Sequence, residues 1–109
     1  MTKLINVTPH KLNIHNEDGN VMEVEPSGVV ARVVMTSEVV NSVDGIPVYK
    51  TVFGDLDIPE PREGVLYVAS LIVAAHAARL GRTDVVSPGA LIRDDSGQPV
   101  GCKGLNLPA

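Results

Sequence analysis

The stretch GVLYVASLIVAAHAARLGRTDVV, residues 64–86, decides the fold of this 109-residue chain. Its first part, VLYVA, is a short apolar run rich in β-branched and aromatic residues, which predicts a buried strand. Ser70 can then cap a helix over residues 71–80, and Gly81 can end that helix in a left-handed conformation. The stretch therefore predicts a buried strand that leads directly into an apolar helix.

The helix is unusual because nearly every position is small and apolar, and only His76 and Arg79 are polar. A helix of this kind is buried on most of its surface. Its alanines let another backbone approach closely, so the cover comes either from the domain itself or from a second subunit. For the second case we expect a two-fold homodimer through the alanine-rich helix.

The segments around this unit indicate short strands separated by glycine and proline turns. KLNIH and VMEVE alternate in polarity on either side of NEDGN, which predicts a hairpin. Asp44-Gly45 between SEVVNSV and IPVYKTVF predicts a second hairpin, and ALIRD with PVGCKGL predicts a last one. VVARVVM is apolar on both faces except for Arg32, which is typical of a central strand. GDLDIPEPREG, with two prolines, predicts a surface loop or a lid.

These elements predict an α+β fold: a mostly antiparallel sheet or a partly closed barrel, with one helix from the C-terminal half packed on it. The length predicts one domain over residues 1–109. A formal charge of −4 with scattered lysines and arginines argues against binding to a nucleic-acid duplex. One cysteine, no long apolar run and no leader-like start lead us to expect a cytoplasmic protein without membrane contact.

The chain lacks the common motifs of hydrolases, kinases, dinucleotide-binding proteins and zinc enzymes, so we predict no cofactor, no metal site and no catalytic set. Two residues keep an enzymatic function open. Cys102 could act as a nucleophile with His10 as its base. The alternatives are a buried small hydrophobic side chain for Cys102 and a turn hydrogen bond for His10.

Arg32 is the first candidate for a binding site, because a guanidinium among valines needs either an ion-pair partner or a ligand. Carboxylates at Glu23, Glu25 or Glu38 could supply the partner. A ligand would be an anion, since the five donors of arginine suit carboxylate and phosphate groups. Both interpretations stand at this point.

The predicted ligand site combines Arg32 with residues at both ends of the helical unit. Free N–H groups after Ser70 form an anion site where strand meets helix. Arg82 and Asp84 follow the helix, and a mutual salt bridge is the alternative role for them. The full set of predicted ligand-binding residues is Arg32, Arg82, Ser70, His10, Thr8, Tyr67 and Asp84, with Thr8 and His10 as neutral hydrogen-bonding groups and Tyr67 as an aromatic wall.

The segments INVTPH, GVLYVAS, RTDVVSPG and IRDDSGQPVGCKGL together resemble a group of small uncharacterised proteins from actinobacteria and their phages, whose opening is close to N-L-T-P-H. This chain has Val7 where that group has leucine. The resemblance covers most of the chain and transfers no active site. It implies a phage or prophage setting, in the host cytoplasm if viral, where small accessory proteins act against host defences.

Three functions follow as hypotheses. The first is an anti-defence protein that binds and sequesters a small anionic, nucleotide-like ligand without catalysis, with GDLDIPEPREG as the covering loop. The second is a protein–protein inhibitor or phage structural accessory factor that works through edge strands. The third is a small nucleotide-acting enzyme that uses His10 or Cys102.

Overall fold

The structure is a computed structural model that describes residues 3–108 of the chain. Within that range the chain forms eight strands and one helix. The elements in chain order are β1 (Lys3–Asn6), β2 (Leu12–His15), β3 (Val21–Val24), β4 (Arg32–Val43), β5 (Ile46–Asp57), β6 (Val65–Val68), α1 (Leu71–Arg79), β7 (Val85–Arg93) and β8 (Pro99–Asn106).

Six of the strands form one sheet in the order β1-β6-β7-β8-β2-β3. Its two outer strands approach each other, and a parallel bridge between Asn6 and Pro26 joins them. The sheet is mixed, because β1–β6, β6–β7 and β2–β8 are parallel whereas β7–β8 and β2–β3 are antiparallel. The predicted α+β fold with a partly closed barrel and one helix is therefore confirmed.

The β6–α1–β7 unit has the form that residues 64–86 predict. The hydroxyl of Ser70 accepts a hydrogen bond from the Val73 N–H at 3.4 Å, which caps the start of the helix. The helix ends at Leu80, and Gly81 follows with φ of +88°, a conformation that glycine adopts without a steric penalty. Because β6 and β7 are parallel, α1 returns the chain from the carboxyl end of β6 to the amino end of β7.

The alanines of the helix pack against the sheet of the same chain. Ala74 and Ala77 are completely buried, and Val73 is 4% exposed. The domain itself therefore covers this face, whereas Leu71 and Leu80 of the same helix are 60% and 62% exposed. The dimer through the alanine-rich helix stays a prediction. The buried core cluster consists of Val7, Ala31, Tyr67, Ala69, Val73, Ala74, Ala77 and Val85.

β4 and β5 form a separate two-stranded antiparallel ribbon, which we call the ribbon. The predicted Asp44-Gly45 turn is confirmed, since both residues have positive φ, +51° and +79°. Residues 34–51 are all exposed. The radius of gyration is 16.7 Å, against about 13 Å for a compact chain of roughly this length, because the ribbon extends away from the body.

The prediction of a central strand over VVARVVM is wrong. Arg32 is the first residue of β4 and is exposed, because the ribbon has no neighbouring strand on either edge among residues 3–108. An apolar run on both faces indicates burial only where other layers cover those faces, and here the body covers Ala31 and part of Val33 but not Val34 and Met35. The irregular segment also starts later than predicted, since Gly54–Asp57 belongs to β5. No helix within residues 3–108 has the length and apolar character needed to cross a membrane.

Candidate functional site

A cleft of about 320 Å³ opens between three parts of the chain: the segment after β1, the start of β4 and the first turn of α1. We call it the anion cleft, after the chemistry of its polar groups. Arg32 and Ser70 line it from two different elements, and Thr8 lines it from a third. The remaining lining residues are Val7, Pro9, Val30, Ala31, Val33, Met35, Ile72 and Val73.

The fold explains why these parts of the chain meet. β1 and β6 are parallel neighbours, so the residues that follow them lie at the same end of the sheet. A hydrogen bond from the Ala31 N–H to the Val7 carbonyl, 2.9 Å long, holds the base of β4 against the segment after β1. The carboxyl ends of parallel strands are the usual place for ligand sites in parallel α/β sheets. The anion cleft occupies the corresponding position here.

The first turn of α1 gives the cleft a positive end. The Ser70 cap occupies the Val73 N–H, and the N–H groups of Leu71 and Ile72 have no acceptor within the helix. The first turn carries no acidic side chain that could balance the positive end of the helix dipole. Ile72 lines the cleft, so this end of the helix borders the cavity.

Arg32 has no salt bridge with any carboxylate of residues 3–108. Asp57 lies directly opposite it in the β4–β5 register, yet the two side chains form no ion pair. Of the three glutamates considered as partners, Glu23 pairs with Lys11 at 3.1 Å, Glu38 faces Lys50 across the ribbon, and Glu25 forms no salt bridge within residues 3–108. The structure therefore gives no support to an ion pair at Arg32. Because Arg32 is exposed, its unpaired charge also carries no cost of desolvation.

Thr8 belongs to a hydrogen-bond network that the sequence did not reveal. Asn6 is 1% exposed, and its Oδ1 accepts from the Thr8 backbone N–H at 2.9 Å and from the Thr8 hydroxyl at 2.6 Å. Its Nδ2 donates to the carbonyls of His10 at 2.7 Å and Val24 at 3.1 Å. No catalytic or ligand motif includes Asn6, so the sequence analysis does not single it out. An asparagine just before a Thr-Pro turn was the available indication.

Arg82 and Asp84 do not reach the anion cleft. They form a bidentate salt bridge, with Nε–Oδ1 at 2.7 Å and Nη2–Oδ2 at 2.9 Å, and Arg82 also donates to the Pro59 carbonyl at 3.1 Å. The hydrogen bonds from Arg82 and its charge hold the pKa of Asp84 below its usual range, against the effect of burial. The same hydrogen bond raises the pKa of Arg82. The parallel crossover places these residues at the opposite end of α1 from Ser70.

Tyr67 is also outside the cleft. It is 1% exposed within the core, and its hydroxyl donates to the Glu60 carbonyl at 2.9 Å. Together with the bond from Arg82 to Pro59, this contact fixes the proline-rich loop against the body. Neither the loop nor Tyr67 lines the anion cleft, so the loop is not placed to cover it.

His10 and Cys102 line a second cleft, of about 530 Å³, between β2, β7 and β8. The Cys102 side chain is 3% exposed, and its Sγ contacts the Gly104 carbonyl at 3.6 Å. No hydrogen bond joins Cys102 to His10 within residues 3–108. The pair shares a cavity without forming the contact that a nucleophile and its base require. Residues 3–108 also contain no group of three His, Cys, Asp or Glu side chains arranged to hold a metal ion.

Of the seven residues predicted to bind ligand, the structure thus brings together Arg32, Ser70 and Thr8. Comparison of the chain with protein-family models, curated proteins and solved structures finds no match. The functional argument therefore depends on the geometry of the cleft.

Proposed function

We propose that the protein binds a small anionic, nucleotide-like ligand in the anion cleft and holds it without chemical conversion. The observation that carries the proposal is the convergence on one cavity of Arg32, which has no salt bridge within residues 3–108, and the first turn of α1, where the N–H groups of Leu71 and Ile72 have no acceptor within the helix. A guanidinium and helix N–H groups are two independent kinds of anion donor.

The walls of the cleft support a ligand with an apolar or aromatic part beside its anionic group. Val33, Met35, Ile72 and Val73 are among the residues that line it. Small-molecule sites typically combine such walls with a few convergent polar groups, in cavities of about 300–1,000 Å³. The apolar wall would hold the base of a nucleotide, and Arg32 with the start of α1 would hold its phosphate.

The proposal is tested by incubating the purified protein with a panel of cyclic mono- and dinucleotides, removing unbound material, heating the protein and analysing the released compounds by mass. A sequestering protein returns one of the nucleotides intact. Release of a converted product would instead indicate the enzymatic function that involves His10 or Cys102. No uptake from a panel extended to linear nucleotides would contradict the proposal.

Replacing Arg32 with alanine should lower the affinity for the retained nucleotide by about 10- to 100-fold, because a charge-assisted hydrogen bond contributes about 1.5–3 kcal/mol. The thermal midpoint should not change, since Arg32 is exposed and has no salt bridge within residues 3–108. Arg62→Ala is the matched control: it removes the same charge from an exposed position that does not line the cleft. Calorimetric titration of both variants measures the difference; equal affinities would remove Arg32 from the site.

The exposed ribbon favours a second candidate function, that of a protein–protein inhibitor or phage structural accessory factor. Its apolar side chains include Val39, Ile46 and Tyr49, which are 60–66% exposed. Apolar surface of this extent marks interaction sites in soluble proteins. The sequence resemblance implies a phage or prophage setting. We propose this setting together with either function, since it is compatible with both.

A further inference from the structure

The free edge of β4 has the features of a strand that pairs with another strand. Within residues 3–108, β4 is bonded to β5 on one side only, so every second one of its twelve residues presents unpaired N–H and C=O groups on the other side. β5 carries devices that discourage such pairing, namely Pro47, Lys50, Asp55 and Asp57. β4 contains no proline, and its interior carries a single charge, at Glu38. The two edges of the ribbon therefore differ, and β4 is the one open to pairing.

The polarity of β4 is symmetric about Ser37. The segment VMTSEVV, residues 34–40, reads apolar, apolar, three polar residues, apolar, apolar. Register shifts fall between Val33 and Met35 and between Val39 and Asn41, so the regular part of the ladder is also centred on Ser37. A two-fold axis through Ser37 maps this pattern onto itself.

Antiparallel pairing of two such edges gives compatible neighbours. Ser37 would lie opposite Ser37 of the second copy, and Met35 opposite Val39. Glu38 would lie opposite Thr36, so the two glutamates do not face each other. Side chains that lie opposite each other share a face of the sheet, because each pair is separated by an even number of residues.

The outer part of the ribbon also needs support that residues 3–108 do not provide, although α1 contacts its base through Phe53. An isolated two-stranded hairpin is marginally stable in water, whereas three or more strands with an apolar face are stable. Residues 34–51 are all exposed, and on β4 the exposed apolar side chains include Val34 at 56%, Val39 at 61% and Val40 at 57%. A second ribbon alongside would extend the two strands to four.

From these observations we infer that β4 of one copy pairs antiparallel with β4 of a second copy across a two-fold axis at Ser37. The product is a four-stranded sheet made of two ribbons, with a homodimer as the functional unit. This interface differs from the alanine-rich helix and borders the anion cleft, because Met35 belongs to both.

The direct test is disulfide trapping. In a dimer paired at Ser37, the two Ser37 Cα atoms lie about 4.5–5.5 Å apart, within reach of a disulfide. Ser37→Cys should therefore give a covalent dimer in high yield under mild oxidation. Thr51→Cys is the matched control, because Thr51 is the cross-strand partner of Ser37 and is also exposed. Its two copies would lie about 14 Å apart, three strand spacings, beyond disulfide reach.

A second measurement uses the mass in solution. The unmodified protein should sediment as a dimer at micromolar concentration, and Val39→Lys should sediment as a monomer because it places a charge against Met35 of the second copy. Tyr49→Lys should remain dimeric, since Tyr49 is the cross-strand partner of Val39 and equally exposed, at 60% against 61%. Equal trapping of the two cysteine variants, or a monomeric unmodified protein, would overturn the inference.

Discussion

Asn6→Ala should destabilise the protein by about 3–5 kcal/mol, enough to leave a marginally stable domain partly unfolded at physiological temperature. The side chain makes four hydrogen bonds from a position that is 1% exposed. Its removal takes the acceptor from the Thr8 N–H and one donor each from the His10 and Val24 carbonyls, of which the His10 carbonyl keeps the Thr8 hydroxyl at 3.1 Å. Each unsatisfied group costs about 1–3 kcal/mol. These groups lie where the barrel closes, because the Asn6 backbone also accepts from the Ser27 N–H at 2.9 Å.

Urea unfolding of three variants measures this effect. Thr8→Val removes one hydroxyl, which donates to Asn6 Oδ1 at 2.6 Å and accepts from the His10 N–H at 3.3 Å, so its loss should be about 1–2 kcal/mol. Asn20→Ala, an exposed turn position, should change stability by less than about 0.5 kcal/mol. If Asn6→Ala unfolds at the same urea concentration as Asn20→Ala, the network does not hold the closure together.

Arg82→Ala should cost about 2–3 kcal/mol at neutral pH. The variant leaves the Asp84 carboxylate, 18% exposed, without its bidentate partner and removes the bond to the Pro59 carbonyl. Breaking one side of a largely buried ion pair costs more than the pair contributes, because the remaining charge stays desolvated. Arg93→Ala, an exposed arginine that donates to the Gly97 carbonyl, is the control and should lose under about 1 kcal/mol.

The cost of Arg82→Ala should also depend on pH. Arg82 lowers the pKa of Asp84 in the folded protein, so the pair contributes its full stability above the unfolded value of about 4. That contribution disappears as the pH falls through the lower folded value. The difference in unfolding free energy between the unmodified protein and Arg82→Ala should therefore shrink below about pH 4. A difference that stays constant down to pH 2 would contradict the salt bridge as its source.

The sequence predicted most clearly the parts of the fold where local and tertiary preferences agree. Ser70, the apolar helix and Gly81 form one consistent unit, and Asp44-Gly45 suits the positive φ values that a two-residue hairpin turn requires. The start of the ribbon differs from the prediction because valine on both faces normally indicates burial in a sheet. Local pattern does not reveal whether a second layer exists, so Arg32 was expected deeper in the fold than it lies.

The candidate site was predictable only in part, for a topological reason. Ser70 and Arg82 flank the same helix, so the sequence suggested that both could contact one ligand. A parallel crossover separates them by the full length of α1, about 14 Å for nine residues. Thr8 lies near Ser70 because β1 pairs with β6, and Arg32 lies near both because the base of β4 is bonded to the segment after β1. These contacts join segments that are distant in sequence, so local patterns do not predict them.

Backbone amide NMR of the protein with the nucleotide that heat release returns tests the central claim most directly. Binding between the guanidinium and the helix start predicts that the largest shifts occur at the amides of Leu71, Ile72 and Val73 and at Nε of Arg32. Shifts confined to the cleft of His10 and Cys102 or to the ribbon, with the first turn of α1 unaffected, would contradict it.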